Sequence, residues 1–335
     1  MTQKNISNYF KNKHVLVTGA AGFVGTHLVH RLVDLGAKVR GTLHNKPPQY
    51  QESSVEFINC DLTHSEDCNK ACDGIDFVFM AAANSSGASV IEKTPLVHLT
   101  PNIVMNANML EAAYECEVKK FCFISSNTVY PLTDFAVTED DVNFEFFDKY
   151  FVVGWMKRFT ELMCEMYSSK ISNPMETVVV RPGNLYGPFD KFTLKESKVI
   201  AALIRRAIER EDPFVVWGDG LDIKDFLYIE DFIDGLVLAF EHMNDFQPVN
   251  IASGQPVTIR DALDIILDAA DYKNISIKYD SSKPTMIPKR MIDIRRISEI
   301  TKWSPNTNLK DGIQKTVDWY RETYTTRTPE DFARW

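Results

Sequence analysis

The sequence lacks any hydrophobic segment long enough to cross a membrane. No stretch approaches the roughly 18 uninterrupted apolar residues of a transmembrane helix. The first apolar run begins only at Val15, so no secretory signal is expected. Cysteine is also scarce, with six residues in 335 and no paired spacing of the kind that builds a disulfide framework. These absences predict a cytoplasmic protein without a membrane partner.

Positive charge does not dominate the chain. Lysine and arginine number 37 against 46 aspartates and glutamates, which gives a net charge of −9. A nucleic acid is therefore not expected as the partner, although a local basic pocket for a small anion is compatible with this balance. The 44% hydrophobic and 25% charged residues are typical of globular proteins, and the length suits one large α/β domain or two packed domains.

The first half of the chain alternates short apolar runs with longer amphipathic segments. The predicted strands are His14–Thr18, Ala37–Thr42, Val55–Cys60, Asp76–Ala81, Lys119–Ser125 and Thr177–Arg181. The predicted helices between them are Gly22–Leu35, Ser65–Cys72, about Pro101–Glu115 and about Lys149–Ser169. Continuous apolar strands separated by helices indicate a doubly wound parallel α/β sheet of the Rossmann type, covered on both faces.

The alternation loosens after Arg181. Further helices are predicted at Ser197–Glu209, Glu230–His242, Ile259–Ala270 and Leu309–Tyr324, with short strands at Phe214–Trp217 and Pro248–Ile251. This pattern predicts a smaller mixed α/β lobe over residues 182–335, packed on a first domain of residues 1–181. The segments Glu230–His242 and Pro248–Ile251 are candidates to return to the first domain.

A glycine-rich loop separates the first predicted strand from the first predicted helix. It runs TGAAGFVG from Thr18 to Gly25. Three glycines at this place permit a tight turn, a close approach of backbone amides to a pyrophosphate, and close packing of helix on strand. The loop therefore predicts a bound dinucleotide, and a purely structural turn is the alternative. The candidate cofactor contacts here are Gly19, Ala21, Gly22, Phe23, Val24 and Gly25.

The ends of the second and third strands bear on which dinucleotide binds. An acidic residue after the second strand would favour NAD, and an arginine would favour NADP. The chain has neither, and the missing arginine favours NAD, while His44 and Lys46 keep NADP as an alternative. Asp61 and Leu62 follow the third strand and are candidates for the adenine amino group or, alternatively, for a helix-capping loop.

Six motifs occur in a fixed order along the chain. They are the glycine loop, Asp61–Leu62, Ala81–Ala83, the SSNTVYP of 125–131, the RPGNLYGP of 181–188 and the DFLYIED of 225–231. Together they resemble the extended short-chain dehydrogenase/reductase family, which includes the NAD-dependent epimerases and dehydratases of nucleotide sugars. Within it, residues 184–188, 201–206 and 216–218 are most similar to the GDP-L-fucose synthase group. That similarity implies a GDP-linked manno-type sugar and a role in polysaccharide biosynthesis.

The resemblance also implies contacts beyond the glycine loop. It makes the first domain the cofactor domain and the second lobe the nucleotide-sugar lobe. Implied cofactor contacts are Ala81, Ala82, Ala83, Asn102, Pro182, Asn184 and Leu185. Implied substrate contacts are Asn184, Lys198, Arg206, Trp217 and Lys224, and Arg290 is a further candidate outside the resemblance. A solvated charge is the alternative for Arg206, and core packing is the alternative for Trp217. The family further implies a homodimer, in which the helices near Pro101–Glu115 and Lys149–Ser169 form a four-helix bundle.

The catalytic residues of the family are only partly present. The family uses a serine or threonine, a tyrosine, and a lysine four residues after the tyrosine, so that tyrosine and lysine share one helix face. Ser126 and Lys157 occupy the serine and lysine positions, but Val153 stands where the tyrosine belongs. Tyr150 lies seven residues before Lys157, or ~10 Å along a helix, and we expect a packed aromatic rather than a substitute acid.

Thr128 and Lys198 occupy the positions of the family's epimerising cysteine and histidine. Threonine has no accessible pKa for removing a carbon-bound proton, and lysine favours the protonated form. We therefore predict a dehydrogenase or reductase, at C4 of the sugar, in which Ser126 and Thr128 bind the reacting oxygen. Lys157 is expected to hold the nicotinamide ribose of the cofactor and either to relay the proton through a water or to act as the base itself. An epimerase and a cofactor-binding protein with impaired catalysis are the alternatives.

One metal-like pattern is set aside. Cys60, His64, Cys68 and Cys72 are four residues apart, whereas zinc sites favour tighter pairs of ligands. No metal is predicted.

Overall fold

A parallel sheet of seven strands lies at the centre of the protein. The computed structural model describes residues 8–49, 53–85, 94, 96–193, 197–283 and 285–326. The strands in these ranges are β1 (His14–Val17), β2 (Lys38–Leu43), β3 (Glu56–Asn59), β4 (Phe77–Met80), β5 (Lys120–Ile124), β6 (Ala136–Val137), β7 (Glu176–Pro182), β8 (Asn184–Tyr186), β9 (Phe214–Trp217), β10 (Ile223–Tyr228), β11 (Val249–Ile251), β12 (Pro256–Thr258), β13 (Ile277–Asp280) and β14 (Met291–Ile292).

The α-helices of the described ranges connect and cover these strands. They are α1 (Phe23–Asp34), α2 (Ser65–Cys72), α3 (Leu96–Glu115), α4 (Phe151–Ser169), α5 (Val199–Ile208), α6 (Ile229–His242), α7 (Ile259–Ala269), α8 (Arg295–Thr301) and α9 (Leu309–Thr326). Within these ranges, no helix combines the length and apolar content needed to span a membrane.

The order of the seven strands is β11-β7-β5-β4-β1-β2-β3, and all neighbours pair in parallel. The chain leaves β3 at one edge and returns at β4 on the far side of β1. The helices α1 and α3, which follow β1 and β4, pack on opposite faces of the sheet, and this arrangement opens the crevice where ligands bind in doubly wound sheets. The predicted Rossmann-type α/β fold is confirmed.

Apolar residues bury both faces of the sheet. On one face, side chains such as Val15, Val17 and Phe79 contact α1 and α6. On the other face, side chains such as Leu16 and Val78 contact α2, α3 and α4. This two-sided burial explains why the strands have continuous rather than alternating apolar sequences.

The later half of the chain builds small sheets above the carboxyl edge. β10 pairs with β8 and β12, β9 pairs with β13, and β14 pairs with β6. β11, however, is the edge strand of the main sheet through its pairing with β7. The β14–β6 pair joins residues 291–292 to the segment that follows β5, where Val137 and Ile292 belong to one buried cluster with Val129 and Tyr130.

Element boundaries differ from prediction at a few places. α3 begins at Leu96, five residues before the predicted start at Pro101, so the proline lies inside the helix. Proline favours the first turn because it lacks an N–H donor, and this preference placed the predicted start too late. The sequence analysis also missed α8 and the strands β6, β8, β10, β12, β13 and β14. All of these strands except β10 have two to four residues, which is too few for a measurable periodicity.

Candidate active site

The glycine loop has the geometry that a dinucleotide requires. Gly19 has φ +66°, and an added Cβ would lie 2.8 Å from the Ala82 Cα. A Cβ on Gly25 would collide with the Gly19 carbonyl oxygen. Gly22 occupies the N-cap position of α1 and has no side chain that could bind the first amides of the helix. The first turn of α1 contains no acidic residue. The free amides and positive end of α1 are thus left for an anion, and the residues fit the pyrophosphate of NAD.

The loop after β4 lies against the glycine loop. The Ala81 and Ala82 amides donate to Thr18 Oγ1 at 3.1 and 3.0 Å. The Asn102 side chain accepts from the Asn84 amide at 2.8 Å and donates to the Asn84 carbonyl at 3.0 Å. Ala81 and Ala82 are therefore placed beside the cofactor loop, whereas the Asn102 amide group holds the loop itself.

His44 and Asp61 lie together at the ends of β2 and β3. His44 Nε2 is 3.9 Å from an Asp61 carboxylate oxygen. The hydroxyl and amide of Thr63 both donate to Asp61, at 2.7 and 3.0 Å, and these bonds lower the pKa of its carboxyl group. Both side chains are partly exposed, so this edge of the crevice stays open to an adenosine group.

Ser126 follows β5 and has a hydroxyl prepared to donate. Its Oγ accepts hydrogen bonds from the Thr128 amide at 3.2 Å and from Thr128 Oγ1 at 2.9 Å. Because both bonds use Ser126 as the acceptor, its own proton is available for a further oxygen. Asn127 Nδ2 donates to the Pro182 carbonyl at 3.0 Å, which brings the end of β7 to the same turn.

Lys157 lies on α4 beneath the same turn. Its Nζ donates to the Ile124 carbonyl at 2.7 Å and lies 4.7 Å from the centre of the Phe123 ring. Burial lowers the pKa of Lys157 to about 8, against a smaller upward contribution from the charge of Glu161. A Cβ on Gly154 would lie 2.6 Å from the Thr128 carbonyl oxygen, so α4 packs directly on the serine turn. Ser126, Thr128 and Lys157 are thus brought to the carboxyl end of β5.

Val153 and Tyr150 precede Lys157 on α4. Val153 is half-buried and occupies the position of the family's tyrosine. Tyr150 caps the helix, and burial alone raises the pKa of its hydroxyl to about 12, with no charged group of the described residues contributing. Tyr150 is therefore not coupled to Lys157, which supports its interpretation as a packed aromatic.

Lys224 and Arg290 form a cationic pair in the second lobe. The Arg290 amide donates to the Ile223 carbonyl at 3.0 Å, which places the two side chains on adjacent backbone segments. The Arg290 side chain is 1% exposed, and its two terminal nitrogens donate to the carbonyls of Pro131 and Tyr130 at 3.0 and 3.1 Å. Burial lowers the pKa of the guanidinium to about 10. The Arg290 guanidinium thus joins the second lobe to residues 130–131, which follow Thr128.

Two further substrate candidates, Arg206 and Asn184, form hydrogen bonds within the protein. Arg206 donates to the Val215 carbonyl and lies 3.4 Å from Glu211, so internal contacts occupy its guanidinium. Asn184 Nδ2 donates to the Asp225 carbonyl at 3.1 Å.

Trp217 and Lys198 are the candidates with exposed side chains. Trp217, at the end of β9, is 39% exposed. Lys198 is exposed, and its Nζ lies 6.0 Å from the Phe23 ring of the glycine loop. Lys198 therefore faces the cofactor side of the crevice.

Sequence reasoning missed two charged partners in this region. Asp222 lies 3.2 Å from Lys224 Nζ and neutralises part of the cationic pair. Glu161 and Arg181 form a fully buried ion pair at 2.8 Å behind the serine turn. The two-residue spacing of Asp222 and Lys224 could have indicated their ion pair, because alternate residues of an extended segment share a face.

This fold and site define a dinucleotide-binding protein of the doubly wound class. Residues 15–252 match the NAD dependent epimerase/dehydratase family, and the chain belongs to that family. This match confirms the resemblance found in the sequence, and NAD as the cofactor of the family.

The chain is similar to curated nucleotide-sugar enzymes along most of its length. It is 32% identical over 315 residues to GDP-mannose 3,5-epimerase 1 of Oryza sativa subsp. japonica, covering 92% of this chain and 82% of that protein. It is 29% identical over 323 residues to the probable GDP-L-fucose synthase 1 of the same organism, covering 93% of each.

A solved structure shows the same fold with ligands in place. A mutant of the UDP-glucuronic acid 4-epimerase of Bacillus cereus, in complex with NAD and UDP-4-deoxy-4-fluoro-glucuronic acid, superposes with a TM-score of 0.80. The two sequences are 27% identical, over 93% of this chain and all of that one.

Proposed function

We propose that the protein is an NAD-dependent oxidoreductase that acts at C4 of a GDP-linked manno-type sugar. The observation that carries this proposal is the half-buried Lys157 ammonium, bound to the Ile124 carbonyl two residues before Ser126, with a valine in the tyrosine position. A serine and a titrating lysine are sufficient groups to bind and deprotonate a sugar hydroxyl. The GDP-sugar relatives support the nucleotide, and the absence of an arginine after β2 favours NAD over NADP.

The residues of the serine turn have distinct roles in this proposal. Bound NAD supplies the acceptor or donor of the hydride. The Ser126 hydroxyl donates a hydrogen bond to the reacting sugar oxygen. The Thr128 hydroxyl donates to Ser126 Oγ and fixes the orientation of the serine hydroxyl. Lys157, held by the Ile124 carbonyl, takes the proton of the hydroxyl directly or through a water when the sugar is oxidised, and returns it when the ketone is reduced.

Arg290 and Lys224 are the proposed site of the substrate diphosphate. Arg290 is buried against carbonyls rather than carboxylates, and its Nε has no hydrogen-bond partner in the described residues. Lys224 lies close enough for Arg290 to help lower the pKa of its ammonium group, after the larger effect of burial. Two cations against the single carboxylate of Asp222 leave net positive charge, which favours a bound anion.

The lowered pKa of Lys157 predicts the pH dependence of the reaction. Below about pH 8 Lys157 is an ammonium and cannot accept a proton, so sugar oxidation should increase as pH rises through about 8. Reduction of the ketone needs the ammonium as a donor and should decrease over the same range. The nicotinamide absorbance, followed across about pH 6 to 10 with GDP-linked and UDP-linked sugars, measures both directions.

Two outcomes of this assay would contradict the proposal. One is the absence of any absorbance change with every GDP-linked sugar, which would favour an epimerase or a cofactor-binding protein with impaired catalysis. The other is a rate that is flat through about pH 8, which would exclude Lys157 as the titrating group. Mass spectrometry of the released cofactor distinguishes NAD from NADP in the same sample.

An epimerase is the second candidate, favoured by one specific observation. The chain is 32% identical to a GDP-mannose 3,5-epimerase, and Lys198 lies near the glycine loop. Epimerisation at C3 or C5 of a 4-keto sugar exchanges the carbon-bound hydrogen with solvent and consumes no net cofactor. Deuterium incorporated into the GDP-sugar from heavy water, without a change in nicotinamide absorbance, would identify it.

We also propose a homodimer through α3 and α4. Phe151, Trp155, Phe159 and Met166 form an apolar stripe along α4, and each is 39 to 54% exposed. The Trp155 and Phe159 rings stack at 5.4 Å. An exposed apolar stripe on a helix favours a protein partner, and the family makes a second copy the proposed one.

Phe159→Glu is expected to convert the dimer to a monomer, because a charge would be buried at the centre of the stripe. Sedimentation velocity measures the change. Phe135→Glu, at a 50% exposed phenylalanine outside α4, is the matched control and should remain dimeric. A wild-type monomer at micromolar concentration, or a dimeric Phe159→Glu variant, would contradict this interface.

The proposed location is the cytoplasm. All six cysteines are free thiols, and four of them are fully buried. Free thiols are typical of proteins in reducing compartments, so the cysteines support the location predicted from the sequence.

A further inference from the structure

Glu161 is a completely buried carboxylate with four hydrogen bonds. Oε1 accepts from Ser125 Oγ at 2.6 Å and from Arg181 Nε at 2.8 Å. Oε2 accepts from Arg181 Nη2 at 2.8 Å and from Arg158 Nη1 at 3.0 Å. A carboxylate bound by a two-pronged arginine and a short serine bond is held in one orientation.

This carboxylate contacts both segments of the candidate active site. Ser125 directly precedes Ser126, and Lys157 lies one helical turn before Glu161 on α4. Three consecutive residues at the end of β5 therefore have separate partners: the Ile124 carbonyl binds Lys157, Ser125 binds Glu161, and Ser126 binds Thr128. A shift of Glu161 would move the serine turn relative to α4.

We propose that Glu161 is a positioning residue, which fixes the serine turn through Ser125 and supplies the negative charge that the Lys157 ammonium faces. This inference rests on the proposed function, in which Lys157 moves the proton. In addition to that function, Glu161 would set the orientation and the charge of the site without contacting the substrate.

The surroundings of Lys157 leave Glu161 as its main electrostatic partner. The Lys157 ammonium faces the Phe123 ring and the Ile124 carbonyl from β5. Burial lowers the pKa of Lys157, and Glu161 is the charged group that raises it.

The groups facing Glu161 come from each neighbouring element. Arg181 reaches the carboxylate from β7, and Ser125 reaches it from the end of β5. Arg158 and the Cys164 thiol face it from α4 itself. The neighbouring helix α3 contributes a neutral group, the Asn106 amide, which donates to Thr160. Both arginines and the Ser125 hydroxyl donate to the carboxylate, so its position is fixed from three segments at once.

The test is a direct titration of Lys157 in the full chain without substrate. Lysine labelled with ¹³C at Cε is followed by NMR, and Lys157→Arg assigns the signal. Glu161→Gln should lower the midpoint of this titration by roughly one pH unit, since an opposite charge is lost. Glu165→Gln makes the same change one turn further along α4, at a residue 3.6 Å from Lys170, and should leave the midpoint unchanged.

Ser125→Ala separates the geometric role from the electrostatic one. It removes the hydrogen bond to Glu161 and keeps the charge, so it should lower kcat by about tenfold with an unchanged Lys157 midpoint and little change in KM. It deletes one hydroxyl and remains informative if Glu161→Gln does not fold. Glu161→Asp keeps the charge and should keep the midpoint.

Two results would overturn the inference: an unchanged midpoint in Glu161→Gln, or wild-type kcat in Ser125→Ala. The titration uses no sugar, so its outcome is independent of the proposed reaction. A shifted midpoint in a chain that oxidises no sugar would reject the proposed function and support the role of Glu161.

Discussion

Lys157→Met is expected to lower kcat for sugar oxidation by about a thousandfold, because a positioned proton-transfer group contributes about 10² to 10⁴ in rate. Methionine fills similar space without charge. Since burial disfavours the Lys157 ammonium, the variant should fold and unfold near the wild-type temperature. Stopped-flow measurement of nicotinamide absorbance gives the rate, and thermal unfolding gives the stability.

Lys170→Met is the matched control for this experiment. Lys170 follows α4 at its C-terminal end, is 61% exposed, and makes one contact of 3.6 Å with Glu165. Loss of such a surface ion pair costs about 1 kcal/mol or less, and the rate should not change. If Lys157→Met retained the wild-type rate, the assignment of Lys157 to proton transfer would be rejected. An equal loss in both variants would indicate damage to α4 as a whole.

Gly19→Ala is expected to weaken NAD binding by about a hundredfold, since a displacement of about 1 Å in a binding loop costs of that order. The new Cβ would lie 2.8 Å from the Ala82 Cα and 3.1 Å from its nitrogen. These are backbone atoms, so they cannot rotate away, and the loops after β1 and β4 would separate. Isothermal titration with NAD and thermal unfolding measure the two consequences.

Gly74→Ala is the control for Gly19→Ala, because it has the same backbone strain without the collision between Cβ and Ala82. Gly74 has φ +70°, close to the +66° of Gly19, but no atom lies within 4 Å of its added Cβ. Both variants share the roughly 1–2 kcal/mol strain of a left-handed alanine. Gly74→Ala should therefore lose some stability and keep its affinity for NAD. Equal affinities in the two variants would show that the glycine loop does not hold the cofactor.

Much of the cofactor half of the protein was predictable from the sequence. The alternation of apolar strands and helices is a local property, because burial on both faces of a sheet selects continuous apolar runs. The glycine loop between β1 and α1 is equally local, since a left-handed backbone angle at Gly19 excludes most other residues.

The interactions of charged side chains were less predictable. Arg206, a predicted substrate contact, lies against Val215 and Glu211, and the sequence did not indicate these partners. Asn102, a predicted cofactor contact, binds the Asn84 backbone, which the sequence did not indicate either. Long polar side chains reach partners from several elements, and the choice depends on which elements the fold brings close.

By itself, the sequence determined the sheet, the place of the dinucleotide and the replacement of the tyrosine by Val153. These follow from periodicity and from residues at fixed spacing on one helix or turn. Only the tertiary structure decided that Lys157 is buried at the Ile124 carbonyl and that Glu161, Ser125 and Arg181 form one buried group. Burial and charge pairing set the pKa of a group, and both arise only when segments distant in sequence pack together.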